Sequence, residues 1–390
     1  MVDAQRQAAR MLTVALVFTA TAPVAAVVPH DTGAWLPLHL FLVGGLVSAI
    51  AGVTQMLAVT WSTAPAPPDG LAATQRWLMV AGVLAIVAGR ELDVVALLGG
   101  GGVAVAVVVV SLWVSLVRIR GVAATDRFHP AIDGYLIAFA WALVGVLAGI
   151  ALAADQSGAW WARVRDAHIA VNVFGLVGTV IVATLPYFVA TQARMKMSRR
   201  ATPLRMRTVS VSTAVAVACA VGGHLGELPG LSGAGYLAYA LVLVASVSHL
   251  RAVRSRQLRW AGPRLVQLGM GVAWWIGGTV ALALDEFGVS VDRTAVLRVI
   301  ALGGFAQILV ASFAYLGPVL RAGGHERLTA GFATTRSWVS LVAANVAAVS
   351  LTLGAEAAAL AALGIWVLDT VVRAIVLFGL PARVRWSSHQ

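Results

Sequence analysis

Apolar residues fill this chain in long runs, and short breaks rich in Arg, Gly and Pro separate them. A run of about 18 or more apolar residues is long enough to cross a bilayer as a helix. The pattern predicts twelve such spans, near 11–29, 35–61, 77–89, 94–117, 134–154, 167–192, 209–226, 232–250, 265–284, 295–320, 337–354 and 357–380. Each is expected to be α-helical, because backbone N–H and C=O groups find no water to bond in lipid. The third run is the shortest, since Arg90, Glu91 and Asp93 interrupt it. The segment TAPAPPDG over 63–70 reads as a Pro-rich linker.

Composition turns this pattern into a fold class. Of 390 residues, 60% are hydrophobic and 11% charged. Soluble domains carry about 25% charged residues. The expectation is an all-α, polytopic membrane bundle: a single integral membrane domain over 1–390 with no appended soluble domain. The first run is long for a signal peptide and no clear polar region follows it, so it reads as the first anchor. The one cysteine, Cys219, lies in the apolar run AVAVACAVGG and excludes an internal disulfide or a thiolate cluster.

The net charge of +12 would suggest nucleic acid in a soluble protein. Here its distribution points to topology, and no nucleic-acid partner is expected. With the N-terminus inside, 22 of the 28 Lys and Arg residues fall in inner segments, and Arg90, Arg163, Arg165 and Arg293 alone fall in outer loops. Arg298 and Arg373 lie within spans. Basic residues mark cytoplasmic loops, so both termini of this multi-pass cell-membrane protein are expected in the cytoplasm. Trp35, Trp160 and Trp161 then sit at outer helix ends, where amphipathic rings favour the interface. Asp285, Glu286 and Asp292 are placed in an outer loop.

Three spans look alike. The second reads HLFLVGGLVSAIAG from His39, the sixth HIAVNVFGLVGTVIVATLPYF from His168, and the tenth VLRVIALGGFAQILVASFAYLGP from Val296. A shift of 128 positions carries His168 onto Val296, Gly175 onto Gly303 and Ala183 onto Ala311, and Gly45 keeps nearly the same offset from His39. Equivalence of spans two, six and ten implies three pseudo-repeated modules of four helices.

Candidate chemistry rests on histidine. His129, His249, His325 and His389 read as solvated inner-face residues, whereas His30, His39, His168 and His224 fall near outer helix ends. Ionisable groups in spans mark functional sites by default, and imidazole is a usual axial ligand of haem and a common ligand of copper. A pair from facing helices would grip a haem with its propionates toward the outer surface. That makes His39 and His168 the candidate axial ligands and His224 a third metal ligand or hydrogen-bond partner. Arg163, Arg165 and Arg298, with Arg293, are the candidate propionate partners, since guanidinium pairs bidentately with carboxylate. A plain hydrogen bond to a carbonyl or water would also account for each histidine, and His30 reads as a loop residue. His168 and Asn172 are spaced i, i+4 and share a helix face. Asp369 and Arg373 have the same spacing and read as an internal ion pair. Gln55, Tyr187, Gln307 and Asn345 read as links between helices, and Trp274 and Trp275 as packing residues.

The residues just quoted carry a resemblance. His168, Asn172 and Gly175 in H-x-x-x-N-x-x-G, the opening HLFLVGG of the second span and AYLGPVLRAGG after the tenth are similar to the membrane part of actinobacterial copper-oxidase-like proteins. More distantly they resemble the twelve-helix subunit I of heme–copper oxidases and nitric-oxide reductases, and NnrS-like proteins. The resemblance implies haem, copper as a further metal, and electron-transport chemistry between a membrane quinol and an extracytoplasmic cupredoxin or copper oxidase. The departures limit it. In heme–copper oxidases the second and tenth helices carry haem ligands and the sixth and seventh carry copper ligands. Here the tenth span has no histidine and the seventh has one, and Gln55 and Met56 stand where a further histidine is expected late in the second. The chain has no cupredoxin domain and no cytochrome c attachment motif. A dioxygen-reducing binuclear centre is therefore not expected.

Two other classes stay open. A twelve-helix transporter or permease would show two six-helix halves, and no convincing match between halves appears. A non-catalytic membrane subunit that kept the fold and lost its ligands would account most simply for the missing histidine in the tenth span. Whether the protein is an enzyme is not legible from these residues.

Overall fold

A computed structural model of the protein describes residues 2–154, 158–321 and 324–379. Among them there is no β-strand, and twelve long helices follow the expected runs. They are α1 Val2–Val27, α2 Trp35–Ser62, α3 Asp69–Glu91, α4 Val95–Gly121, α5 His129–Ala154, α6 Trp160–Gln192, α7 Pro203–Leu225, α8 Pro229–Ser248, α9 Pro263–Glu286, α10 Arg293–Leu320, α11 Trp338–Thr352 and α12 Glu356–Gly379. Two short helices, Ser255–Ala261 and Gly324–Thr334, lie in connections. Eleven of the long helices have the length and apolar content to cross a membrane. The exception is α11, whose 15 residues reach about 22 Å at the α-helical rise, less than the ~30 Å hydrocarbon core. The protein is a multi-pass, all-α membrane protein. Leu380, the expected end of the last span, and Arg383, Arg385 and His389 beyond it lie outside the described residues.

Several boundaries moved: α1, α3, α6 and α7 begin well before their expected starts, at Val2, Asp69, Trp160 and Pro203, and two other ends carry charged residues into a helix. The third span runs on through Arg90 and Glu91, whose carboxylate takes a hydrogen bond from Thr32. The ninth runs on to Glu286, expected in a loop, because its carboxylate is turned inward and only 10% exposed.

The described residues pack as two compact groups. One comprises those up to Phe188 with Met197–Arg251 and Leu282–Ser290; the other comprises Val189–Lys196, Ala252–Ala281 and those from Val291 onward. In the first, α3 lies along α4, α4 along α5, α7 along α8, and α1 along α2. Small residues allow this closeness, as membrane helices associate by van der Waals packing rather than by expelling water. A Cβ on Gly101 of α4 would strike the carbonyl of Gly82 and the amide of Ile86 in α3, and one on Gly235 of α8 the backbone of Ala216 and Ala220 in α7. In the second group α11 lies along α12. There the Ser340 hydroxyl accepts from Trp366 (2.9 Å) and Gln267 (3.1 Å), and Trp274 donates to Asn345 (2.8 Å), whose amide reaches Gln307. Asp369 holds Arg373 at 3.0 Å and accepts from Ser337 at 2.6 Å. The expected ion pair and the expected link of Asn345 with Gln307 are present, and Tyr187 donates to the Arg127 carbonyl. Gln55 leaves its amide nitrogen without a partner among the described residues, and Trp274, expected only to pack, is a hydrogen-bond donor.

The helices α2, α6 and α10 share two properties. They are the most enclosed, with 61%, 89% and 67% of their apolar windows buried. Each also winds as π-helix for eight residues: Leu40–Val47, Val171–Gly178 and Val299–Ala306. Such wide turns are rare and are frequently found at functional sites. The second and third begin at Val171 and Val299, related by the same shift that aligns the two spans in the sequence. The first begins at Leu40, three positions earlier than that shift would place it, which makes Pro37, rather than His39, the counterpart of His168. In every case a glycine of the wide turn receives an aromatic ring from the preceding span: Gly44 from Phe18, Gly175 from Trp141, and Gly303 from Trp274.

Candidate functional site

The H-x-x-x-N pair of α6 meets a G-x-x-x-G pair of α5. The Nδ1 of His168 lies 2.8 Å from the carbonyl oxygen of Gly145. A Cβ on Gly149 would sit 3.0 Å from the imidazole Cε1, and one on Gly145 would strike the Asn172 amide. Residues four apart share a helix face, so two glycines at that spacing clear a shallow trough for two polar side chains at the same spacing. Asn172 donates from Nδ2 to the His168 carbonyl at 2.8 Å, closing the residue onto its own helix.

His39 is held from within α2. Its Nδ1 is 2.9 Å from the Trp35 carbonyl oxygen, one turn earlier. Its ring stacks on the Trp35 indole, centroids 4.0 Å apart and planes inclined by 22°. The Arg90 guanidinium lies 6.0 Å from the same indole. His168 and Arg90 are each within electrostatic reach of His39.

The hydrogen bonds determine which nitrogen is available. A carbonyl oxygen only accepts, so the bond at each Nδ1 assigns the proton there. At His168 the 2.8 Å bond to Gly145 outweighs the 3.3 Å approach of the Asn172 Nδ2, which already donates to the His168 carbonyl. In the neutral imidazole the lone pair is then on Nε2. Neither Nε2 has a protein partner among the described residues, and neither is among the buried polar atoms without one, so both open to accessible space. Both side chains are half-buried. A metal-binding histidine is oriented in this way, with its second nitrogen tied to a carbonyl or carboxylate.

The other expected ligands lie in different settings. His224 of α7 is buried, with Nε2 2.9 Å from the Tyr236 hydroxyl and Nδ1 3.8 Å from a Glu286 carboxylate oxygen. Both its nitrogens thus face protein groups. Arg163 pairs with Glu227 at 3.1 Å, and Arg165 with its neighbour Asp166 at 3.0 Å while covering the Trp161 ring. Arg298 belongs to the second group and pairs there with Glu356 at 3.8 Å. Among the described residues no three His, Cys, Asp or Glu side chains gather to hold a metal ion. His30 is a loop residue bonded to the Ala25 carbonyl.

Several contributors were not recognised in the sequence. Gly145 and Gly149 form a small-x-x-x-small motif of the kind that brings membrane helices together, a signal present but not weighed. The roles of Arg90, Trp35 and Glu286 depend on which helices face each other. Scans against protein-family models and curated proteins give no match to the chain.

Proposed function

We propose that the protein holds a haem between His39 and His168 and serves as a membrane electron carrier. One arrangement carries the reading: His39 and His168 each have Nδ1 tied to a backbone carbonyl, which assigns the lone pair to Nε2, and the described residues gather no group of three His, Cys, Asp or Glu ligands. That donor set suits haem better than a bare ion. A porphyrin brings four nitrogens of its own and needs only axial ligands, whereas zinc or copper would be left with two protein ligands where three or four are usual.

When bound, such a group supplies one-electron transfer. The chain's own residues would do the rest. The carbonyls of Trp35 and Gly145 fix tautomer and ring angle and make each imidazole a stronger donor. The α5 trough keeps His168 from turning. Arg90, beside Trp35, is a cation near the ring pair, and Arg163 and Arg165 precede His168 on the same helix. Either would have to leave its present carboxylate to meet a propionate. The basic segments would face the cytoplasm, placing this site near the outer surface. A quinol in the membrane and an extracytoplasmic copper protein are the partners this reading assigns.

The test is the reduced-minus-oxidised spectrum of detergent-purified protein from cells supplied with haem precursor. The expected result is a haem band present in the wild type and in His224→Ala, and absent from His39→Ala and His168→Ala when these fold. No band in the wild type, or one that survives both substitutions, would sink the proposal.

A further inference from the structure

Arg264, in the first turn of α9, is 5% exposed. Its Nε and Nη2 atoms are buried without a hydrogen-bond partner, and no carboxylate among the described residues pairs with it. Three rings surround it: Phe332 at 4.6 Å, Tyr315 at 5.7 Å and Trp260 at 5.8 Å from the guanidinium carbon. Arginine stays charged in proteins, and an enclosed charge without a counter-charge is among the most costly arrangements a fold can contain. Aromatic faces offset part of that cost and supply no acceptor.

Two more guanidinium groups converge on the same place. Arg194 lies 3.4 Å from the Trp260 ring centroid, carried there by a backbone in the left-handed region (φ 49°) just past the end of α6. Few residues other than glycine adopt this conformation without a compensating interaction. Arg336, ahead of α11, donates to the Arg259 carbonyl at 3.1 Å and lies against Gly262. A side chain at Gly262 would displace it, and the φ of 66° there also favours glycine. Arg194 and Arg336 are exposed, and both lie against the Trp260–Gly262 segment whose indole also faces the buried Arg264 guanidinium.

We propose that Arg264, Arg194 and Arg336 form a binding site for a phosphate group. Three guanidinium forks match the several acceptor oxygens of phosphate and bind it in pairs of parallel hydrogen bonds. The oxygens would satisfy the atoms of Arg264 that the protein leaves unpaired. The phosphate has two sources with this chemistry, an anionic lipid headgroup and free inorganic phosphate. The wall of Trp260, Tyr315 and Phe332 is suited to the glycerol and upper acyl chain of a lipid, since Trp and Tyr favour the membrane interface.

The experiment uses the full chain in detergent, stripped of lipid. Phosphatidylglycerol and phosphatidylcholine are titrated in native mass spectrometry, and inorganic phosphate in equilibrium dialysis. Binding of phosphatidylglycerol at least tenfold tighter than phosphatidylcholine, weakened at least tenfold in Arg264→Gln, supports the lipid source. Saturable phosphate binding with the same dependence supports the free anion. Arg264→Lys keeps the charge, loses the fork and is expected to fall between. Should Arg264→Gln not fold, the double variant Arg194→Gln/Arg336→Gln, changed only at the surface, is expected to lose the same binding. The proposal is overturned if neither probe binds, or if binding is unchanged in Arg264→Gln or in that double variant.

Discussion

The helices α6 and α10 follow one plan with different contents. Both carry the wide π-helical turn at matching positions, Val171–Gly178 and Val299–Ala306, and both receive a tryptophan of the preceding span on a glycine: Trp141 on Gly175, Trp274 on Gly303. Four residues after each tryptophan a second glycine accepts a side chain from the partner helix. Gly145 takes Asn172, and Gly278 takes Ile300, the residue equivalent to Asn172 in the repeat. Only the contents differ, with His168 and Asn172 in α6 and Val296 and Ile300 in α10. The turn and its aromatic lock therefore form without the polar pair, and packing alone gives no reason for a histidine in α6. Chemistry of this kind is grafted on a scaffold rather than required by it.

A second contrast follows. Polar residues packed around α10 satisfy one another, as in Trp274–Asn345–Gln307 and Ser337–Asp369–Arg373. Those beside α6 leave an imidazole nitrogen open. The largest expected effect tests the closed set. Asp369→Ala leaves Arg373 without its counter-charge and is expected to cost about 3 kcal/mol, seen as loss of the monodisperse peak in fluorescence-detected gel filtration. The shared lock comes next. Gly175→Ala pushes a Cβ into Trp141, and Gly303→Ala pushes one against Ala348 (2.9 Å) and Trp274 (3.3 Å). Both are expected to cost about 1–3 kcal/mol, read as similar drops in thermal unfolding temperature. If only one of the pair responds, the two locks are not equivalent.

Smaller effects sharpen the comparison. Trp274→Phe keeps the ring and removes the donor to Asn345, which is worth about 1 kcal/mol between membrane helices. Asn172→Leu, which copies the apolar character of α10, should change thermal stability by less than that. It should alter the haem spectrum if the proposed ligation holds. Arg163→Gln removes an ion pair whose side chains are 36% and 66% exposed, and its effect on stability should stay within about 0.5 kcal/mol.

Much of this could be read from the order of residues. Hydropathy placed all twelve helices, most within a few residues of their ends, because lipid forces long apolar runs to bond internally. The repeat was visible through Gly175 and Gly303, where a side chain would strike Trp141 or crowd Ala348 and Trp274. His39 matched less well, since it does not fall at the position equivalent to His168. The settings of His224 and Arg298 were not legible. Glu286 and Tyr236 flank His224 from α9 and α8, and Arg298 pairs within the other group. Depth along a helix fixes height, not direction.

Sequence alone determined that the chain crosses a membrane many times as helices, roughly where those helices lie, and that three of them share a pattern. Apolar length and backbone hydrogen bonding are local properties, written in consecutive residues. Tertiary structure decided which imidazole nitrogens are tied and which are open, and which arginines meet a carboxylate and which meet only aromatic rings. Those outcomes depend on a carbonyl of α5 coming within hydrogen-bond distance of His168, or a ring of a distant helix coming into contact with Arg264. No run of neighbouring residues encodes that approach.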